Sequence, residues 1–261
     1  MKRMLCVMLA VAFCTAVAAP AANAGTLNLR PVALGSDSLQ NAFDGITTSG
    51  PGVDASDDQA PYSLFTSDAS GGSVATFVIE LAGCAGTNQF GLYNRNDKGN
   101  KALIFDGAAG AEDMALLTFY ADGRIKVNGG LVATGFSDSF GFYLDVYEAG
   151  VDSGGDGDGA TLDYTLFTED SENAGEAAQA LIYQGDDETR MQIGGLAPGL
   201  FTDNEFIIAF EDMRLDLTDN AGDYDDLVVM VESVTPVPAP GALLLGVLGL
   251  PVVGWVRRRL A

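Results

Sequence analysis

The sequence predicts an all-β protein, in which antiparallel sheets are layered like a β-sandwich and joined by long acidic loops. Hydrophobic residues alternate with polar ones in many short segments, as in strands that have one buried face. The 33 glycines, together with clusters of Asn and Asp, separate these segments, as turns do in all-β domains. The composition is 48% hydrophobic, which is sufficient for a packed core.

Five segments show the alternation most clearly, and each is expected to form a strand. Their alternating hydrophobic residues are Phe77, Ile79 and Leu81; Phe140, Phe142, Leu144 and Val146; Leu162, Tyr164 and Leu166; Phe206, Ile208 and Phe210; and Leu227, Val229 and Val231.

Two hairpins and one helix are expected between these strands. Residues 116–127 contain the turn signal Asp122-Gly123 between two apolar runs, which predicts a β-hairpin. Residues 179–183 and 190–193 are expected to flank a second hairpin. The alanines of residues 173–181 favour one short helix.

Residues 1–24 have the three parts of a secretory signal peptide. Lys2 and Arg3 provide the positive start, residues 5–19 are almost entirely apolar, and residues 22–24 read Ala-Asn-Ala. This order predicts cleavage just before Gly25 and export of the remainder. A permanent N-terminal anchor is the alternative, which the short apolar run and the cleavage site disfavour.

The other end, residues 236–261, also has the composition of a targeting segment. Val-Pro-Ala-Pro begins at Val237, residues 242–256 are apolar or Gly/Pro, and three arginines begin at Arg257. This order resembles the PEP-CTERM sorting signal, although Ala239 stands where that family usually has Glu. The resemblance implies a Gram-negative-type bacterium and processing by an exosortase-type enzyme.

Sorting of this kind implies a location at the cell surface or in the extracellular matrix. Before processing, residues 242–256 would serve as a transmembrane helix and anchor the chain transiently in the inner membrane. A plain C-terminal anchor that is never removed is the alternative interpretation.

The charge distribution limits the partners of the central part of the chain. All 36 acidic residues and only 8 of the 13 basic ones lie between the two targeting ends. Such a domain repels nucleic acid and anionic lipid but attracts cations. The chain has no His, which excludes Ser-His-Asp catalysis and imidazole-rich metal sites. Cys84 is the only cysteine left after signal removal, so an intramolecular disulfide is excluded.

The central part is divided into two ranges by composition. Residues 25–139 form an N-terminal β region, and residues 140–235 form an acidic β-rich domain. A Gly/Asp-rich stretch at residues 150–159 leaves two interpretations open. The two sides of this stretch form separate sub-domains, or they form one sandwich with a long loop.

The strands predicted at residues 206–210 and 227–231 are joined by a long loop, which has acidic residues at both ends. If the strands are antiparallel neighbours, these residues converge at one end of the sheet. Like charges packed together need protons or a cation, and calcium takes 6–8 oxygen ligands. The sequence therefore predicts a calcium site, with an unliganded pair of acidic strand ends as the alternative. Its candidate ligands are Glu211, Asp212, Asp223, Asp225 and Asp226.

The same segment resembles a known domain. Phe-Glu-Asp at residues 210–212, followed by Gly-Asp-Tyr-Asp-Asp at residues 222–226, is similar to an acidic β-rich domain of unknown function that often accompanies PEP-CTERM tails. The resemblance spans about residues 140–234, and Asp225 replaces the usual Asn. That family has no established activity, so the resemblance implies location more than mechanism.

A second and weaker candidate calcium site lies in the Gly/Asp-rich stretch. Asp152, Asp156 and Asp158 are separated by glycines, which permit tight turns with carboxylates on one side. The alternative is a solvated loop.

These features together predict an exported, non-catalytic protein of the cell surface or of an exopolysaccharide matrix, stabilised by calcium. A carbohydrate-binding module for extracellular polysaccharide is the alternative, because Tyr143 and Tyr147 alternate along a strand and are expected to be exposed. A secreted hydrolase that uses two carboxylates is a second alternative, but no flanking motif supports it, and we expect no enzymatic activity.

Overall fold

A computed structural model describes most of the central part of the chain. It covers residues 29–33, 38–67, 73–79, 88–110, 113–149, 160–217 and 222–237, with the backbone alone at 73–79, 148–149 and 160–161. The predicted signal peptide, almost all of the predicted sorting tail, Cys84 and the weaker candidate ligands Asp152, Asp156 and Asp158 lie outside these ranges.

Strands dominate the described residues, which confirms the all-β prediction. In chain order the elements are α1 (Leu39–Ile46), β1 (Thr47–Ser49), β2 (Phe65–Ser67), β3 (Ser73–Ile79), β4 (Gln89–Asn94), β5 (Asp97–Phe105), β6 (Met114–Phe119), β7 (Ile125–Val127), β8 (Gly130–Ala133), β9 (Ser139–Ala149), β10 (Ala160–Phe167), β11 (Ala180–Gln184), β12 (Arg190–Met191), β13 (Gly199–Leu200), β14 (Glu205–Phe210), β15 (Leu227–Glu232) and β16 (Val234–Pro236).

The strands form three antiparallel sheets. The seven-stranded sheet has the order β11-β14-β15-β3-β6-β7-β8. The six-stranded sheet has the order β16-β2-β9-β4-β5, with β10 also paired to the long strand β9. A small sheet has the order β1-β12-β13.

The main core lies between the two large sheets and is rich in phenylalanine. The rings of Phe90 and Phe142 in the six-stranded sheet stack with centroids 5.5 Å apart. Phe210 of the seven-stranded sheet meets Phe90 edge-on at 6.2 Å. All three side chains are fully buried, and burying one such side chain contributes roughly 1.5–3 kcal/mol. The other alternate residues of β14 and of β15 belong to the same core, which holds the two sheets together.

The opposite face of β11, β14 and β15 is covered as well. Leu39 and Phe43 of α1 pack there, and the Phe43 ring meets Tyr183 of β11 edge-on at 4.8 Å. Ile207 and Val228 point to this side and are fully buried. Burial on both faces accounts for the nearly continuous apolar sequences of β14 and β15.

One predicted hairpin is confirmed and the other is wrong. β6 and β7 pair around Asp122-Gly123 as expected. β11 pairs with β14 instead of β12, and β12 joins the small sheet with β1. The chain leaves the large sheet after β11. Met191 of β12 then packs with α1 in the apolar cluster that covers the opposite face of β11, β14 and β15.

The predicted helix at residues 173–181 is also wrong. Two short 3₁₀ turns, Asp170–Glu172 and Ala174–Glu176, occupy the region before β11 begins. Gly175 and Glu176 have positive φ angles of 66° and 55°, which an α-helix does not accommodate. The observed helix α1 was not predicted, although Leu39, Phe43 and Ile46 have helical spacing.

Strands from both sides of residue 140 share both large sheets. β3, β6, β7 and β8 lie in one sheet with β11, β14 and β15. β9 begins at Ser139, so the proposed boundary between residues 139 and 140 falls inside a strand. The described residues between 29 and 237 belong to one compact unit, which favours one sandwich over two sub-domains.

Within the described residues, no helix has the length and apolar character needed to span a membrane. The predicted anchor at residues 242–256 lies outside them.

Candidate metal site

β14 and β15 place acidic residues at one end of the seven-stranded sheet. Phe210 lies opposite Leu227 in their antiparallel register, so the chain leaves β14 and enters β15 at the same edge. Glu211 and Asp212 follow Phe210 directly, and Asp226 precedes Leu227. The acidic residues before and after the loop therefore converge, as the sequence predicted.

Five carboxylates form what we call the acidic cluster: Glu211, Asp212, Asp223, Asp225 and Asp226. Carboxylate oxygens of Glu211, Asp212 and Asp226 lie within 4.8 Å of one another, and those of Asp223, Asp225 and Asp226 do likewise. Asp226 thus belongs to both groups. None of the salt bridges in the described part of the chain involves a member of the cluster. The cluster is a concentration of negative charge without a basic partner there.

The Glu211 carboxylate binds the backbone of the loop. Its Oε2 accepts hydrogen bonds from the N–H groups of Asp223 at 3.0 Å and Tyr224 at 3.4 Å, and its Oε1 accepts one from Met213 at 3.3 Å. Tyr224 has a positive φ of 55°, which is uncommon for a residue with a side chain. Its hydroxyl donates to the carbonyl oxygen of Ala178 at 2.9 Å. These bonds fix the chain that leads into Asp225.

Asp212 connects the cluster to the six-stranded sheet. Its Oδ2 accepts a hydrogen bond from Asn88 Nδ2 at 3.2 Å, and its carbonyl oxygen accepts one from the Tyr164 hydroxyl at 2.7 Å. Asn88 directly precedes β4, and Tyr164 lies in β10. The Asp212 N–H donates to Asp226 Oδ2 at 2.7 Å. The acidic cluster therefore lies where the ends of the two large sheets meet.

Asp225 has an oxygen that is buried without a partner. The residue is 4% exposed, yet its Oδ2 accepts no hydrogen bond. It is the only such atom among the described side chains. A buried polar atom without a partner costs roughly 1–3 kcal/mol, and more when it is charged. Asp225 belongs to the group with Asp223 and Asp226, so the residue that carries the unpaired oxygen is a member of the cluster.

The electrostatics of the cluster oppose full ionisation. Burial, assisted by the charges of Asp223 and Glu211, raises the pKa of Asp225 from its ordinary value of 3.8 to about 6. Burial, followed by the charges of Asp212 and Glu211, raises the pKa of Asp226. The pKa values of Glu211 and Asp212 are raised too, with burial as the largest cause. A cation placed among these groups would favour their ionised forms and reverse the shifts.

Sequence reasoning did not identify Asn88 or Tyr164 as neighbours of the cluster. Their partner Asp212 is 124 and 48 residues away in the chain, respectively. No local pattern signals such contacts, because they arise only when the two sheets pack.

The expectation of an exposed Tyr143 is wrong. Tyr143 is 3% exposed, and Lys101 Nζ lies 4.4 Å from the centroid of its ring. It packs with Leu64 and Tyr93 in a small apolar group on the outer face of the six-stranded sheet. Tyr147 is half-buried. The alternation correctly places Tyr143 on the face opposite the main core. That face is not exposed to solvent at this point, because Leu64 and Tyr93 pack against Tyr143.

The sequence matches no protein-family model, and no curated protein or solved structure is significantly similar to it. The two family resemblances seen in the sequence therefore stay predictions.

Proposed function

We propose that this protein is a calcium-stabilised, non-catalytic β-sandwich that works outside the cytoplasm, at the cell surface or in an extracellular matrix. The observation that carries the calcium part is the buried Asp225 Oδ2, which has no partner in a cluster of five carboxylates. A cation bound among Asp223, Asp225 and Asp226 would supply the missing partner and neutralise the repulsion.

Calcium suits this donor set better than other cations. All the candidate ligand atoms are carboxylate oxygens, which hard cations prefer, whereas zinc and copper favour imidazole and thiolate. Magnesium demands near-ideal octahedral geometry and keeps several waters, while calcium accepts irregular sets of 6–8 oxygens. Water and backbone carbonyls would complete the coordination shell. Calcium sites of extracellular modules have Kd values of roughly 10⁻⁴–10⁻³ M.

The proposed location comes from the two ends of the sequence. Residues 1–24 have the order of a signal peptide, and residues 236–261 resemble a PEP-CTERM sorting signal that an exosortase-type enzyme would process. The central part has 36 acidic and only 8 basic residues, a net charge of −28, which suits an extracellular domain that attracts cations. Amino-terminal sequencing of the surface-exposed protein tests this part, and a mature start at Gly25 is expected. A chain that keeps both ends and stays in the cytosol contradicts it.

The contacts of the cluster favour a structural role over catalysis. Glu211 accepts three backbone hydrogen bonds and is 2% exposed, and Asp212 is tied to Asn88. A carboxylate that transfers protons to a substrate must be able to reach it. The carbohydrate-binding alternative loses one of its two tyrosines, because Tyr143 is buried.

Unfolding in calcium and in a chelator tests the calcium proposal. Calcium at 100 times its Kd should stabilise the fold by about 2.7 kcal/mol, which raises the Tm by roughly 5–11 °C for a domain of this size. The variant with Asp152, Asp156 and Asp158 all changed to Asn serves as the starting protein, so that only the acidic cluster contributes. If the Tm of this variant is the same in calcium and in chelator, the proposal is contradicted. Magnesium is the control cation.

A further inference from the structure

The acidic cluster contains two kinds of carboxylate, which differ in what their oxygens already contact. Both oxygens of Glu211 accept backbone N–H groups, three in total, from Met213, Asp223 and Tyr224. The Asp225 carboxylate has an oxygen with no hydrogen bond at all. Both oxygens of the first carboxylate are already satisfied by the protein, whereas the second has one oxygen, Oδ2, without a partner.

The space beside the Glu211 carboxylate is also filled. A Cβ atom added at Gly222 would lie 2.7 Å from Glu211 Oε2 and 3.3 Å from its Cδ. The backbone of residues 222–224 thus packs directly against the carboxylate, on the side where two of its hydrogen bonds form. A cation cannot bind Oε2 from this side without displacing the loop.

We infer that Glu211 is a positioning residue that shapes the loop for the cation, and that the ligands among the protein side chains include Asp223, Asp225 and Asp226 but not Glu211. This inference rests on the proposed calcium site. By holding the N–H groups of Asp223 and Tyr224, Glu211 fixes the backbone from which the three aspartates project. The N–H dipoles offset part of its negative charge, while burial still raises the pKa of Glu211.

Terbium luminescence separates a ligand from a positioning residue. Terbium replaces calcium at oxygen sites, and its lifetimes in H₂O and D₂O count the water molecules on the bound ion. Losing a ligand admits about one more water, whereas losing a positioning residue weakens binding without changing the count. The protein used is the full exported domain in which Asp152, Asp156 and Asp158 are replaced by Asn.

Glu211→Gln should weaken terbium and calcium binding by about tenfold or more, since the variant loses the charged acceptor of three backbone hydrogen bonds. Its water count should equal that of the starting protein. Asp223→Ala should raise the count by about one. A rise in Glu211→Gln equal to that in Asp223→Ala overturns the inference, and so does unchanged affinity in Glu211→Gln.

A second variant covers the case in which Glu211→Gln does not fold. Gly222→Ala removes no carboxylate. Its added Cβ would lie 2.7 Å from Glu211 Oε2 and so pushes the loop away from that oxygen. We expect the same result, weaker binding with an unchanged water count. Gly199→Ala is the matched control, because its added Cβ would meet nothing within 4 Å. If the starting protein binds neither ion, the proposed function itself fails, which is a different outcome from a changed water count.

Discussion

Replacing Asp225 by Asn should stabilise the metal-free protein, and most of this advantage should disappear in calcium. In the metal-free protein at pH 7.5, Asp225 is ionised, buried and without a partner at Oδ2. Raising the pKa of a carboxyl from 3.8 to about 6 corresponds to about 3 kcal/mol of lost stability once the group is ionised. The amide keeps its own need for hydrogen bonds, so the metal-free variant should be more stable than the wild type by about 2 kcal/mol.

Calcium should remove most of the difference between the two proteins. The wild type gains about 2.7 kcal/mol at 100 times its Kd. A site that has lost one negative ligand should bind at least tenfold more weakly, which removes about 1.4 kcal/mol or more of this gain. The advantage of the variant should therefore fall from about 2 kcal/mol in chelator to about 0.6 kcal/mol or less in calcium. Urea unfolding followed by circular dichroism, in chelator and in calcium, measures both free energies of unfolding.

The comparison at low pH provides the control. At pH 4, most Asp225 carboxyl groups of the folded wild type are protonated, so the advantage of Asp225→Asn in chelator should largely disappear. If the variant is less stable than the wild type in chelator at pH 7.5, the carboxylate is not the unfavourable group described above. If the calcium gain of the variant equals that of the wild type, Asp225 is not a ligand.

Three further perturbations test other parts of the structure. Phe206→Ala should lower the free energy of unfolding in urea by about 3–5 kcal/mol, because the ring is fully buried; Leu217→Ala, at a 74% exposed position, should change it by less than about 0.5 kcal/mol. Lys101→Met should lower the free energy of unfolding by about 2 kcal/mol, since it removes the ammonium 2.6 Å from the buried Asp145 carboxylate. Arg124→Met, which breaks an exposed ion pair, should lower it by less than about 1 kcal/mol. Equal losses within either pair contradict the burial argument. In chelator, the wild type should lose stability as pH rises from about 4 to 7.5, because four carboxyl pKa values in the cluster are raised; a stability that rises over this range contradicts the charge argument.

The strands and the convergence of the acidic residues could be predicted because both depend on local patterns. Alternation along β14 and β15 assigns Phe210 and Leu227 to the core face, and antiparallel pairing of neighbours then brings Glu211 and Asp226 together. When two consecutive strands pair antiparallel, the end of the first lies beside the start of the second, whatever the length of the loop between them.

The contacts of the cluster could not be predicted in the same way. Asn88 reaches Asp212 only because β4 belongs to the opposite sheet. The burial of Tyr143 depends on Leu64 and Tyr93, which are distant in the chain. Alternation identifies which residues share a face, but the covering of that face is decided by tertiary packing.

The failed hairpin and helix have a common cause. The alanines and short apolar runs of residues 173–193 are compatible with a helix, a turn or a strand. Tertiary contacts therefore decide which of these forms. Gln179 shows how this happens, because its side chain bonds to the backbone of Glu211, Met213 and Leu215. These bonds hold the chain extended into β11 at the point where the prediction had continued a helix.

The pairing of β3 with β15 determines when this chain can fold. Val231 of β15 lies opposite Ala75 of β3, so a strand near the beginning of the domain must wait for one near its end. Long-range pairing of this kind slows folding and raises the contact order. During synthesis, the seven-stranded sheet therefore cannot be completed until β15, near the end of the domain, has emerged.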